Sequence, residues 1–197
     1  MKVLLLGSGG REHTLAWKIA QSKYCSKLYI APGNAGTSLC GINITLSDSD
    51  VDEIKAFIIK ENIDMLVVGP EQALVNGIYD AIHSDEACKH VIVIGPSKQG
   101  ALLEGSKDYA KGFMQRNHIP TAAYRSFTKD NVAAAYDYID SLKPPYVLKA
   151  DGLAAGKGVL ICEDVEEAKA EVKAMLLAAK FGKASEKLVL EEFLKGI

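Results

Sequence analysis

Residues 147–161 read VLKADGLAAGKGVLI. A short apolar run ends in Lys149, a loop of Gly and Ala follows, and a second apolar run begins at Val159. The pattern is strand, glycine loop, strand, which reads as a β-hairpin. Gly152, Gly156 and Gly158 carry no side chains, so backbone N–H groups can approach an anion closely. Lys149 and Lys157 add a cation at each end of the loop. Two unit charges 4 Å apart attract by about 1 kcal/mol in water and about 4 kcal/mol at an effective dielectric of ~20. A half-enclosed loop of this kind suits a polyphosphate, and its tip is placed to close over one as a flap. The bland alternative is an ordinary hairpin turn, but turns rarely carry AAGKG between flanking lysines.

The loop is not a Walker A loop. That motif has four residues between its glycines and a Ser or Thr after the lysine, to reach Mg²⁺. Here Gly152 and Gly156 are separated by three residues, and Gly158 follows Lys157. A P-loop also opens directly into a helix, whereas residues 159–162 form a β-type run.

Upstream of the hairpin, the first hundred residues alternate strand and helix. Strands are expected at 2–6, 28–31, 65–68 and 91–94, and helices at 13–21, 51–61 and 74–83. Fully apolar short strands between helices indicate a parallel sheet covered on both faces. Ligands of such sheets lie at the carboxyl ends of the strands. The loops 7–12, 32–37, 69–71 and 95–96 all sit at those ends, so they are expected to line one crevice. Trp17 and Phe57 fall on apolar helix faces and are expected in the core. The acidic residues Asp48, Asp50, Asp52 and Glu53 read as helix-start charges.

Residues 97–117 read as two helices divided near Gly105. The pattern then restarts after Ile119-Pro120, where a boundary is expected. Strands follow at 124–127, 146–149, 159–162 and 187–192, with helices at 130–142 and from Asp164 onward. Asp164 and Glu167 form a capping-box-like start, and Val165, Ala168, Val172, Met175 and Leu176 share one helix face. This second part reads as α+β. Glu191 and Glu192 are adjacent on a strand, so they face opposite sides and cannot both ligate one metal.

Composition narrows the function. The chain has 197 residues, 48% of them hydrophobic, as in a globular protein. A formal net charge of −2 argues against a general nucleic-acid or membrane-surface binder. No apolar run approaches the ~20 residues of a membrane span, and the N-terminus has no signal-peptide pattern. The four cysteines are far apart without a CxxC pair, as expected of reduced thiols in a cytoplasmic protein. The four histidines show no metal-ligand spacing.

GSGGRE at 7–12 invites a dinucleotide reading, but G-x-G-x-x-G needs glycine at position 12, where Glu12 stands. The second strand also ends in Ala31-Pro32 rather than an acidic residue that would hold a ribose. Gly9 and Gly10 still precede a helix N-terminus, a natural anion site, and Arg11 adds a bidentate phosphate donor. A sugar phosphate fits this better than a dinucleotide.

KADGLAAGKGV at 149–159 resembles the phosphate-covering loop of the ATP-grasp ligases, and within them the glycinamide ribonucleotide synthetase family. LLGSGGREH at 5–13, APGNAGT at 31–37, VVGPE at 67–71, LEGSKDYAK at 103–111 and LEEFLKG at 190–196 resemble the same family, in order along the chain. The resemblance implies a Rossmann-like pre-ATP-grasp substrate domain with linker helices over 1–120. A first ATP-grasp subdomain follows over 121–197, truncated at its C-terminus. It implies ATP-dependent joining of glycine to 5-phosphoribosylamine, through glycyl phosphate, in purine biosynthesis. ATP contacts are then implied for Lys107, Lys149, Gly152, Ala155, Gly156, Lys157, Gly158, Glu191, Glu192, Phe193 and Leu194. In that stretch the Glu192 carbonyl and Leu194 N–H would meet adenine. Phosphoribosylamine contacts are implied for Gly9, Gly10, Arg11, Glu12, Asn34, Gly36, Thr37, Pro70 and Glu71.

The family also implies Mg²⁺ or Mn²⁺, with the metal carboxylates and glycine-binding groups expected beyond Ile197 and no metal ligand in the chain itself. The chain is therefore expected to be a fragment with little ligase activity alone. The partners implied are glycine, 5-phosphoribosylamine and ATP, with neither nucleic acid nor membrane, in a full-length monomer or weak dimer. Two other readings stay open: another ATP-grasp carboxylate–amine ligase of purine biosynthesis, and a non-catalytic nucleotide-binding module.

Overall fold

The computed structural model describes residues 1–154 and 156–196, so Ala155, assigned above to the ATP loop, lies outside the described residues, as does Ile197. The chain divides into two compact units, Met1–Ala101 and Leu102–Ile197. The expected boundary at Ile119-Pro120 falls inside the second unit.

The first unit is built on a parallel sheet of β1 (Lys2–Gly7), β2 (Lys27–Pro32), β3 (Ile42–Asn43), β4 (Met65–Val68) and β5 (Ile92–Ile94), in the order β3-β2-β1-β4-β5. β1 is central, and its residues Val3 to Leu6 are all buried. Helices α1 (Gly10–Ala20), α2 (Val51–Glu61), α3 (Glu71–Asn76) and α4 (Ile78–His83) connect the strands. Leu4, Leu6, Ile54, Ile58, Leu66, Ile78 and Ile82 form one core; Val3, Leu5, Ala16 and Ile30 form another. Both sheet faces are therefore covered, which is why the strands read as unbroken apolar runs. Asp50 caps α2, accepting from the amides of Asp52 (3.1 Å) and Glu53 (3.0 Å).

Four local expectations change. The helix expected at 74–83 is two helices, because Gly77 adopts φ +98° between them. α1 begins three residues earlier than periodicity suggested, because Gly9 and Gly10 supply a cap rather than a loop. The two-residue β3 was not legible, being too short to show alternation. Trp17 is 57% exposed, on the solvent side of α1 rather than in the core; Phe57 does pack against the core, edge-on to Tyr29 at 5.1 Å.

The second unit carries α6 (Lys107–Arg116) and an antiparallel sheet of β6 (Tyr124–Thr128), β7 (Tyr146–Ala150), β8 (Val159–Cys162) and β9 (Lys187–Glu192), in the order β6-β9-β7-β8. α5 (Lys98–Gly105) spans the division. α7 (Val132–Ser141) and α8 (Val165–Leu176) cover one sheet face, burying Phe127, Leu148, Leu188 and Leu190 against Ala135, Ile139, Val172 and Met175. Asp164 caps α8 through the amides of Glu166 (2.8 Å) and Glu167 (3.0 Å). Strand alternation then turns Val147, Lys149, Val189, Glu191, Tyr124 and Ser126 to the other face, where α6 lies. β9 is an interior strand between β6 and β7, not an edge. Among the described residues, no helix is long and apolar enough to cross a membrane.

Candidate functional site

The hairpin expected from residues 147–161 is present: β7 and β8 pair antiparallel, with Lys149 opposite Val159. Its glycines divide by role. Gly156 sits at φ +77° with open space around its Cα, where a turn requires the left-handed region. Gly152 lies against Ala184, whose Cα would be 3.1 Å from an added Cβ. At Gly158 an added Cβ would meet that of Ala154 at 2.7 Å. Gly158 is thus close-packed within the loop and Gly152 against a residue outside it, a demand the anion argument did not include.

The lysines divide as well. Lys157 is exposed, without a carboxylate in ion-pair reach among the described residues. Lys149 Nζ donates to Glu191 Oε2 at 2.8 Å across the sheet face. Lys107, the first residue of α6, brings its Nζ to the carbonyls of Asp151 (3.4 Å) and Gly152 (3.3 Å) at the root of the loop. The pair of cations that converges on the loop root is therefore Lys107 and Lys149. Burial, followed by the repulsion of Lys149, holds the Lys107 ammonium below the usual lysine range, with Asp151 opposing the shift.

Sequence reasoning missed Asp151, Lys111 and Asp108. Asp151 caps α6: its carboxylate accepts from the Asp108 amide (2.7 Å) and the Ser106 hydroxyl (3.0 Å). Its backbone N–H donates to Lys187 O at 3.0 Å. This one residue ties the glycine loop to the helix that carries Lys107. Lys111 is buried and lies 3.3 Å from Glu191 Oε2. The signal for it was present: Lys107 and Lys111 are four apart and share one helix face. Asp108 pairs with Lys187 Nζ at 2.6 Å and with the Ser126 hydroxyl. Burial raises the Asp108 carboxyl, but Lys187 and Ser126 outweigh it and hold the group below the usual Asp range.

β9 ends at Glu192, whose N–H donates to Ala123 O at 3.0 Å and whose Oε1 accepts from the Ala123 N–H at 2.8 Å. Glu191 and Glu192 do face opposite sides. Phe193 and Leu194 are 38% and 61% exposed beyond the strand.

In the first unit, three of the four strand-end loops meet. Arg11 donates to Gly69 O at 2.7 Å and to Glu71 Oε2 at 3.0 Å. Asn34 Nδ2 donates to Ser8 O at 2.8 Å. The loops after β1, β2 and β4 therefore converge where strand order reverses about β1. At Gly95, in the fourth loop, an added Cβ would meet Leu74.

Many of the polar groups expected to face a ligand are engaged within the protein. Gly9 N–H donates to Glu12 Oε2 at 2.8 Å, and Arg11 Nε to Glu12 Oε1 at 2.9 Å. Glu12 is buried, and an added Cβ at Gly69 would meet its Cγ at 2.5 Å. Glu12 thus fills the space a third fingerprint glycine would open, which gives the failed dinucleotide motif its physical reason. Asn34 Oδ1 accepts from the amides of Gly36 (2.7 Å) and Thr37 (3.0 Å), and Asn43 Nδ2 closes the loop on Asn34 O at 2.7 Å. Thr37 is fully buried, donating to Asn43 Oδ1 at 2.7 Å, so it shapes the loop. Gly36 leaves no room for a Cβ because the His13 ring packs there. Pro70 precedes α3, and Glu71 opens it. Its own helix-start N–H, then Arg11, lower the Glu71 carboxyl. The amides of Gly10 and Arg11 in the first turn of α1 have no acceptor among the described residues.

No group of three metal-ligating side chains occurs among the described residues.

The chain matches the family model described as phosphoribosylglycinamide synthetase, N domain, over residues 1–104, and that described as the ATP-grasp (A) domain of the same synthetase over 105–197. It is 46% identical to a phosphoribosylamine–glycine ligase of Pasteurella multocida, over 100% of this chain and 45% of that protein. A ligase of the same name from Clostridium acetobutylicum is 44% identical, over 100% of this chain and 46% of that protein. The crystal structure of phosphoribosylamine–glycine ligase from Thermotoga maritima is similar at TM-score 0.77 and 34% identity, covering 100% of this chain and 45% of that one. The biotin carboxylase domain of Hydrogenobacter thermophilus 2-oxoglutarate carboxylase, solved with MgADP, shares the fold at TM-score 0.73 and 19% identity. The chain spans about half the length of the curated relatives it matches, 45% for the Pasteurella protein.

Proposed function

The chain belongs to the phosphoribosylglycinamide synthetase family, and from that premise we propose that it supplies two binding sites of an ATP-dependent ligase joining glycine to 5-phosphoribosylamine. The reading rests chiefly on one observation: Lys107 and Lys149 converge on the root of a glycine hairpin. Two ammonium groups beside backbone amides neutralise a triphosphate, and phosphoryl transfer chiefly needs positioning and such neutralisation. Gly152, Gly156, Lys157 and Gly158 form the flap above it. Glu192 O and Leu194 N–H receive the adenine edge, with Phe193 beside the ring. Glu191 acts behind Lys149 as its counter-ion.

In the first unit, the free amides at the start of α1 and the exposed side of Arg11 take the phosphate of the ribosylamine. Glu12, Asn34, Gly36, Thr37 and Pro70 shape that loop cluster, and Glu71 accepts from ribose hydroxyls. The carboxylate of glycine attacks the γ-phosphate, giving glycyl phosphate and ADP; the amine of phosphoribosylamine then attacks the acyl carbon and releases phosphate. A divalent cation supplies further charge neutralisation in such reactions, but the residues described here do not hold one. The chain by itself is therefore proposed to bind nucleotide and to turn over little. The proposed setting is the cytoplasm.

Calorimetric titration of the chain with an ATP analogue tests the nucleotide site. The expected result is saturable binding that Lys149→Met weakens by about tenfold, the value of one charge-assisted contact. Absence of binding by the unsubstituted chain would refute the reading. Assay with ATP, Mg²⁺, glycine and phosphoribosylamine tests the second statement, and appreciable product from the pure chain would contradict it.

A further inference from the structure

Lys111 is the one buried cation of the second unit among the described residues, and the function above makes no use of it. We propose that Lys111 is a fixed counter-cation for Glu191 and thereby a positioning residue for Lys149: it frees Lys149 to leave that carboxylate for a nucleotide phosphate. The proposal rests on the nucleotide reading of the hairpin.

The geometry distinguishes the two lysines. Both reach the same oxygen, Glu191 Oε2, Lys111 at 3.3 Å and Lys149 at 2.8 Å. Lys111 is held by other groups as well. Its Nζ donates to Thr121 Oγ1 at 2.7 Å and to Ala122 O at 3.2 Å, and lies 5.5 Å from the centre of the Tyr124 ring. Two hydrogen bonds and the ion pair with Glu191 hold it, and its side chain is 10% exposed. Lys149 has Glu191 as its single hydrogen-bond partner among the described residues, and its side chain is 26% exposed. It is also the penultimate residue of β7, next to the glycine loop. Of the two, Lys149 is the one that can move.

Glu191 explains why two cations are present. Its side chain is 6% exposed, so the carboxylate cannot be left without a cation except at a large desolvation penalty. Were Lys149 alone, a phosphate would have to compete with that carboxylate for the ammonium group. With Lys111 fixed behind it, the carboxylate stays paired when Lys149 turns away. The arrangement holds Lys149 in place in the absence of ligand and releases it at low cost in the presence of one.

The test is a double-mutant cycle on the whole chain, titrated by calorimetry with adenosine 5′-(β,γ-imido)triphosphate and, separately, with adenosine. Lys111→Met is expected to weaken the triphosphate about tenfold and to leave adenosine unchanged, since only phosphates engage Lys149. Lys149→Met weakens the triphosphate too, and the double variant is expected to bind no more weakly than Lys149→Met alone, because the two act through one contact. Losses that multiply, equal loss for adenosine, or unchanged triphosphate binding by Lys111→Met would each overturn the proposal. Should Lys111→Met fail to fold, Lys111→Met/Glu191→Gln removes the buried charges together; triphosphate affinity within about threefold of the unsubstituted chain supports the proposal, and a loss as large as that of Lys149→Met refutes it. Failure of the unsubstituted chain to bind the triphosphate would overturn the nucleotide reading itself, and this inference with it.

Discussion

Lys107 occupies the first position of α6, points its ammonium at two loop carbonyls and is held below the usual lysine range by burial. A nearby triphosphate would raise it again, so binding at alkaline pH takes up a proton. The sign follows: affinity is greatest while the free protein holds the proton and falls as pH rises through the lowered value. Titrations between neutral and alkaline pH should show this decline beginning below the ordinary lysine value of 10.5, and Lys107→Met should remove it. Glycine positions carry distinct expectations. Gly156→Ala places a side chain at φ +77° in open space, so its cost is the backbone term alone, about 1–2 kcal/mol. Gly158→Val adds a clash with Ala154 to that loop, and should cost more although the mutated residue has an ordinary backbone conformation. Chemical denaturation of the two variants ranks them, and a larger loss for Gly156→Ala would contradict this division.

At the scale of elements, the hairpin and α6 are joined through Asp151. Its carboxylate accepts from the Asp108 amide in the first turn, which places a negative charge at the positive end of the α6 dipole. Asp151→Ala should cost about 0.5–2 kcal/mol, the usual value of a lost helix cap. It should also raise amide exchange in both α6 and the loop root, whereas a cap acting on the helix alone would leave the loop unchanged. Lys187 on β9 makes the companion tie to α6 through Asp108. The Asp108 carboxyl is lowered in the folded protein, so its contribution is present above the ordinary Asp value of 3.8 and is lost as pH falls through the lowered one. Unfolding curves across that acid range should show less acid sensitivity for Asp108→Asn than for the unsubstituted chain.

Across the whole molecule, two sheets of opposite kind each enclose their own core. Leu4 in the parallel sheet and Leu148 in the antiparallel one are both fully buried. Either Leu→Ala substitution should cost about 2–5 kcal/mol, read as lost amide protection within the unit that carries it. Unbroken apolar runs and the glycine hairpin were legible along the chain because strand type follows from local alternation and turn chemistry. The capping of α2 by Asp50 and of α8 by Asp164 could be read from neighbours two and three residues away. None of this revealed what lies across the sheet. Glu191 stands far along the chain from Lys111 and Lys149, and only the pairing of β9 with β7 and the docking of α6 bring the three charges together. Glu12 likewise read as a gap in a motif, and its role in filling the glycine loop needed β4 beside β1. The sequence by itself determined the kinds of element and the chemistry available at each loop, because those depend on residues adjacent in the chain. Which charges are paired and which remain free for a ligand was decided by tertiary structure alone, because Coulomb attraction and burial depend on distance through space.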